Sequence, residues 1–355
     1  MRQTLSPPQN KIQLTYIEMK PNLPKRRVIS VDDLAHGVRS GNRASLGRAV
    51  TLIESTNHSH QQQAQQLIQQ LLPYTGNSIR IGLSGVPGVG KSTFIEAFGQ
   101  NLLNEKKKVA VLAIDPTSQR TGGSILGDKT RMQSLSIHAD AFVRPSPTSG
   151  TLGGVNRVTR ESILLCEAAG FDVIIVETVG VGQSETSVST MVDFFLLLML
   201  PGAGDDLQGI KRGLMEVADM IVINKSDGDN LHKAQTAKND YTHAIRTLFP
   251  PSDKWQPPVL NCSAILNQGL TEVWLSILKH QQIAHDSGLF KENRQQQSLD
   301  WLDSTLRHRL LSNFHSNKEV ADKLDQLRTQ VITGKVTPVV ASEILINQYQ
   351  QTNRF

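Results

Sequence analysis

The residues Gly85-Val86-Pro87-Gly88-Val89-Gly90-Lys91-Ser92 have the spacing of a phosphate-binding loop. They follow an apolar β-rich run, Ile79–Leu83, and open a helical stretch, Ser92–Glu105. Strand, glycine loop and helix in that order are the context the motif requires. The loop amides and the positive end of the helix meet anionic phosphates. The glycines let the backbone approach closely. Lys91 would neutralise the β- and γ-phosphates, and the Ser92 hydroxyl would reach Mg²⁺. A chance match is about one in a hundred at average composition, which makes a plain Gly-rich turn the weaker reading. The whole stretch Gly85, Val86, Pro87, Gly88, Val89, Gly90, Lys91, Ser92 and Thr93 is the expected phosphate site.

Two further strings select the base. Asn224-Lys225-Ser226-Asp227 follows the apolar run Met220–Ile223. A carboxylate there accepts from guanine N1–H and N2–H₂ together. Adenine offers no such pair of donors, and a buried unpaired carboxylate is costly. The four residues alone would be a weak signal, equally a surface turn. Their place at a strand end after a phosphate loop makes them specific. Asn261-Cys262-Ser263-Ala264 ends the last apolar run, and Ser263, Ala264 and Ile265 are expected to support the base through backbone amides.

Other carboxylates fall at predicted strand ends. Glu177-Thr178-Val179-Gly180 follows Val173–Val176. A carboxylate here can hold Mg²⁺ through water, and the Gly180 N–H can meet a γ-phosphate. The residue after this glycine, where many GTPases carry a water-positioning Gln, is Val181, and Gln183 is out of register. Slow intrinsic hydrolysis follows unless something else completes the site. Asp115 ends the run Val109–Ile114, and Asp128 lies in the Gly-rich, charged string Thr121–Arg131. Each fits either a metal role or a salt bridge or helix cap. Lys211 ends the glycine-containing string Gly202–Lys211. It can lend charge to a transition state or be an ordinary solvated lysine.

The elements that must position these groups are apolar runs at Ile79–Leu83, Val109–Ile114, Val173–Val176, Phe194–Leu200, Met220–Ile223 and Val259–Leu260, with helical stretches between several of them. Such runs imply an α/β fold with a mostly parallel sheet, covered by helices on both faces. Ahead of it, Ser30-Val31-Asp32-Asp33 has capping-box spacing. Two apolar faces follow: Leu46, Ala49, Val50, Ile53, and Ala64, Leu67, Ile68, Leu71, Leu72. His58-Ser59-His60 between them reads as a surface loop. Beyond residue 285, Leu299, Leu302, Leu306 and Leu310 share one helical face, and Val320, Leu324, Leu327 and Val331 another. Lys291–Gln297 reads as a joint, and Thr337-Pro338 as the start of the last helix. The expected division is a flexible tail over 1–29, helices over 30–75, a nucleotide domain over 76–285 and a helical extension over 286–355.

Composition excludes other classes. The chain has 355 residues, 37 basic against 32 acidic, 19% charged and 38% hydrophobic. It is neither disordered throughout nor a disulfide scaffold. The basic excess forms only short runs, Lys25–Arg27 and Lys106–Lys108, which argues against nucleic acid as a partner. No apolar run has membrane-spanning length. Cys166 and Cys262 match no metal spacing and fit buried free thiols in a reducing compartment.

Together, Gly85–Thr93, Thr121–Met132, Glu177–Glu185, Gly204–Lys211 and Asn224–Asp227 resemble the MeaB/ArgK-type GTPases, chaperones of methylmalonyl-CoA mutase. The likeness covers about residues 30–350. It implies a signal-recognition-type P-loop GTPase whose C-terminal helices form a dimerisation arm. It assigns Asp115, Asp128 and Glu177 to Mg²⁺ and the switches. It makes Gly202–Lys211 a third switch, through which the mutase stimulates hydrolysis. It implies GTP/GDP and Mg²⁺ as ligands and a role in adenosylcobalamin loading and in protecting or reactivating the mutase. The compartment would be the bacterial cytoplasm, or the mitochondrial matrix in a eukaryote. A metallochaperone-type GTPase and a P-loop small-molecule kinase are the alternatives. The first lacks a Cys or His cluster here, and Asn224–Asp227 speaks against the second.

Overall fold

The computed structural model describes residues 29–115, 132–147, 152–178, 183–202, 212–249 and 254–352. Seven strands form one sheet: β1 (Ile79–Gly85), β2 (Val109–Asp115), β3 (Ala141–Pro147), β4 (Val173–Glu177), β5 (Phe194–Met199), β6 (Met220–Ile223) and β7 (Val259–Asn261). Their order is β3-β2-β4-β1-β5-β6-β7, and every pairing is parallel. The fold is therefore the α/β class that the apolar runs imply.

Strand β5 shows why the runs are continuously apolar. Phe194, Leu196 and Leu198 enter one core layer. Phe195, Leu197 and Met199 enter the other. Successive strand residues point to opposite faces, so burial on both sides leaves no polar position. The first layer packs on α4 (Lys91–Asn104) and α10 (Leu270–Asp286), through Phe94, Phe98 and Trp274. The second packs on α6 (Leu152–Ala168) and α9 (Leu231–Leu248). The short helices α5 (Gln133–Ile137), α7 (Gln183–Ser189) and α8 (Arg212–Glu216) fill the crossovers.

The N-terminal helices extend the second layer. They are α1 (Val31–Arg39), α2 (Arg43–Glu54) and α3 (His58–Leu71), capped by Ser30, Asn42 and Asn57 side chains. Their apolar faces are buried as the spacing predicts, with one exception. Leu72 sits in a single 3₁₀ turn ahead of Tyr74 and is 41% exposed. Pro73 at the start of that turn leads the chain off the helical face. His58-Ser59-His60 is the first turn of α3 rather than a loop, because Asn57 accepts from the Ser59 N–H at 2.9 Å.

The C-terminal helices are α11 (Leu289–Ser316), α12 (Lys318–Ile332) and α13 (Pro338–Thr352). The expected joint at Lys291–Gln297 lies inside α11. Its polar residues have jobs that need a helix. Arg294 pairs with both oxygens of Asp193 at 2.7 Å and donates to the Ser78 carbonyl at 2.8 Å. Gln297 donates to the Val192 carbonyl at 2.7 Å. Beyond that anchor, Val320 and Leu327 of α12 meet Ala341 and Leu345 of α13 in a small core of their own. Leu299, Leu302, Leu306 and Leu310 of α11 stay exposed. No helix among the described residues is long and apolar enough to cross a membrane.

Candidate functional site

The phosphate loop leaves β1 at the centre of the sheet, between β4 and β5, where ligands bind α/β folds. Its tightness depends on glycine. A Cβ on Gly85 would lie 2.5 Å from the Leu198 carbonyl of β5. Gly90 has φ 91°, and a Cβ there would lie 3.0 Å from Asn224 Nδ2. Val89 is fully buried and holds the loop down as a plug. Lys91 starts α4, and its ammonium donates to the Gly85 carbonyl at 2.8 Å, which folds it back across the loop.

The base-side strings are fastened to this loop. Asn224 donates to the Val89 carbonyl at 2.8 Å and accepts from the Ala264 N–H at 3.2 Å. One buried amide thus joins the phosphate loop, the end of β6 and the end of β7. Lys225 holds a left-handed conformation, φ 59°, and its ammonium reaches the Gly88 carbonyl at 2.8 Å. The Ser226 N–H donates to the Cys262 carbonyl at 2.9 Å. Asp227 is half-buried, and the Ser263 hydroxyl hydrogen-bonds one of its oxygens. Ser263 and Gln268 exchange both backbone hydrogen bonds at 3.0 Å, which closes the turn carrying Ala264 and the exposed Ile265. Cys262 beneath them is inert as a nucleophile, since burial, helped by Asp227, pushes its thiol up to about 12.

A cavity of about 570 Å³ opens above the loop. Gly88, Lys91, Ser92, Thr93, Glu177 and Thr178 are among its lining residues. Glu177 ends β4, in register with Ala113 of β2, so Asp115 ends its strand two residues further along the same edge. Hydroxyl and carboxylate oxygens on one wall are the hard donors Mg²⁺ prefers, so the residues fit the ion. Asp128, Gly180 and Lys211 lie outside the described residues.

Thr178 is a contributor that pattern reading passed over. It is fully buried, its N–H donates to the Leu83 carbonyl at 3.0 Å, and its hydroxyl meets Ser84 Oγ at 3.0 Å. The chain after Glu177 is thereby stitched to β1. A threonine directly after a strand-end carboxylate was the available signal.

The model described as "Methylmalonyl Co-A mutase-associated GTPase MeaB" matches residues 46–319. "GTPase ArgK" of Escherichia coli is 49% identical over 88% of this chain and 96% of its own. "Methylmalonic aciduria type A homolog, mitochondrial" of Mus musculus is 42% identical over 96% of this chain and 84% of its own. A crystal structure titled "LAO/AO transport system kinase" superposes with a TM-score of 0.73 at 40% identity, covering 91% of this chain and 99% of that one. With the phosphate loop, the Asn224–Asp227 string and the sheet order in place, the chain belongs to the MeaB family of methylmalonyl-CoA mutase-associated GTPases.

Proposed function

We propose that this chain is a Mg²⁺-dependent GTP hydrolase that gates adenosylcobalamin loading onto methylmalonyl-CoA mutase and protects or reactivates that enzyme. The observation that carries the nucleotide part is Asn224, which ties the phosphate loop to both base-side segments at 2.8 and 3.2 Å. Phosphate and guanine are then held at one fixed separation. Gly85–Thr93 cradle the phosphates, and Lys91 moves from the Gly85 carbonyl to the β/γ-phosphates when they arrive. Asp227 takes the guanine N–H pair, with Ser263, Ala264 and Ile265 behind the ring. Mg²⁺ would neutralise developing phosphate charge; Ser92 would hold it, with Glu177, Asp115 and Asp128 reaching it directly or through water. Gly180 would meet the γ-phosphate, and Lys211 would supply charge on contact with the partner. Water attacks in line, the bond to the γ-phosphorus breaks, and GDP and phosphate leave.

The mutase part rests on the family description and on the 42% identical relative named for methylmalonic aciduria. A homodimer through the C-terminal helices belongs to the same reading, as does a bacterial cytoplasmic or a mitochondrial matrix location. The test is GTP hydrolysis by the purified chain with and without adenosylcobalamin-dependent methylmalonyl-CoA mutase. Stimulation by the mutase is expected. Tight GTP binding with no stimulation would overturn the mutase assignment and leave the GTPase.

A further inference from the structure

β1 and β4 end on a pair of buried hydroxyls. Leu83 of β1 lies in register with Glu177 of β4. One residue on, the Thr178 N–H reaches back to the Leu83 carbonyl at 3.0 Å, and the Thr178 hydroxyl meets Ser84 Oγ at 3.0 Å. Both side chains are fully buried. Their neighbours in the sheet are apolar: Leu83 and Val176 in the same two strands, and Leu197 of β5 in register with Ser84. Among such neighbours a hydroxyl costs stability that its hydrogen bond at best restores. What the bond adds is direction, because apolar packing is non-directional.

Both partners adjoin groups that the nucleotide site needs. Ser84 precedes Gly85, whose carbonyl holds the Lys91 ammonium at 2.8 Å. Thr178 follows Glu177, and both line the cavity above the phosphate loop together with Ser92. The ladders from β4 to β1 and to β2 end at Glu177. Beyond it, Thr178 continues the hold on β1 by its N–H and its hydroxyl. The backbone that carries the carboxylate is thereby fixed on both sides, by the ladder before it and by Thr178 after it. Such precision matters for Mg²⁺, which demands near-ideal octahedral geometry at about 2.0–2.1 Å from each oxygen.

We propose that Thr178 is a positioning residue for Mg²⁺: through Ser84, its hydroxyl holds the Glu177 carboxylate at a fixed height relative to Ser92, so that the two can share one ion. This rests on the nucleotide part of the function proposed above. The test is the affinity of the full chain for a fluorescent non-hydrolysable GTP analogue, titrated in excess Mg²⁺ and again in EDTA. The ratio of the two affinities measures what the ion adds, with no need of turnover. Thr178→Val keeps the shape and the N–H and removes the hydroxyl. It should lower the ratio about three- to tenfold, the worth of one hydrogen bond, and leave affinity in EDTA unchanged. Thr178→Ser, which keeps the hydroxyl, should restore the parent ratio. Ser84→Ala should act as Thr178→Val does, and the double variant should lose no more than either, because the two hydroxyls work through each other. Ser84→Ala decides the matter should Thr178→Val not fold. A merely structural role would lower affinity equally with and without the ion, and that result would overturn the proposal. Additive losses in the double variant would overturn it too. A parent that binds no analogue would overturn the nucleotide reading and this inference with it. A parent that binds, beside a Thr178→Val variant with the same ratio, would overturn this inference alone.

Discussion

Asp227, past one end of β6, and the facing His280 and Asp219, at the other, each make a demand that can be measured. Asp227, pinned by the Ser263 hydroxyl, is the proposed base reader. Asp227→Asn keeps the size and the bond to Ser263 but presents an N–H₂ where guanine presents N–H. GTP affinity should fall by about 1.5–3 kcal/mol, and xanthosine triphosphate, which offers a carbonyl there, should gain. An unchanged ratio of kcat/KM for the two nucleotides would refute the role. At the other end of β6, His280 Nε2 lies 3.8 Å from Asp219, with its ring edge-on to Phe194 and Trp255. Burial pulls His280 down to about 4 and pushes Asp219 up to about 7. Between pH 4 and 6.5 the unfolded histidine binds a proton that the folded one refuses, so His280 stability is lost on acidification. Over the same range the folded Asp219 holds a proton that the unfolded one gives up, so acid favours its folded form. Compared with the parent, His280→Gln should lose less stability between pH 6.5 and 4.5, and Asp219→Asn more, in urea unfolding midpoints. The Asp219 side chain keeps 32% of its surface exposed, so its slope is the shallower. Shifts of the same sign in the two variants would contradict the pairing.

The elements near the site are held by exact backbone approaches. Gly269 caps the start of α10 at φ 78°, and a Cβ there would lie 2.4 Å from the Asn261 carbonyl. Gly269→Ala should cost about 1–3 kcal/mol of stability and weaken GTP binding in proportion, because the same turn positions Ser263 and Ala264. Undiminished affinity by fluorescence titration would show that the turn is not rigidly coupled to the base. Such approaches are not visible in a sequence, whereas the strands mostly are. Six of the seven strands coincide with apolar runs, and pattern reading found each within two residues. It passed over β3, Ala141–Pro147, because Arg144, Pro145 and Pro147 break the run. β3 is one of the two edge strands, where proline costs a sheet little. Gly153 and Gly154 lie in the first turn of α6 although glycine is a poor helix former, so its start leaves little trace in the sequence. Lys291–Gln297 reads as a joint because its use is polar: Arg294 and Gln297 grip acids and carbonyls of the sheet edge, and no hydrophobic period records that. At the site, the phosphate loop, Asn224–Asp227 and Ser263-Ala264 were legible because each is a contiguous string. The Thr178–Ser84 contact was not, because it joins residues 94 apart in the chain.

At the scale of the molecule, the unsolved surface is α11. A helix of 28 residues is about 42 Å long. Only its first turns grip the sheet, through Arg294 and Gln297. Further along, Leu299, Leu302, Leu306 and Leu310 lie 49–62% exposed at spacings of three and four. That is the seam of a helix expecting another helix. A contiguous apolar stripe of this kind is unusual on a monomer. A second copy of the chain is the occupant the proposed dimer supplies, and a two-fold axis would set each leucine against the same stripe. A substitution there counts twice. Leu302→Lys with Leu306→Lys removes about 1.5–3 kcal/mol of burial per side chain and adds like charges across the axis. The double variant should sediment as a monomer at concentrations where the parent is a dimer. Its circular dichroism and GTP affinity should be unchanged, because α11 contributes no residue to the nucleotide cavity. A parent that sediments as a monomer, or a variant that remains a dimer, would remove the seam from the assembly. A variant that becomes monomeric and also loses GTP affinity would mean that the nucleotide site depends on the arm of the second copy.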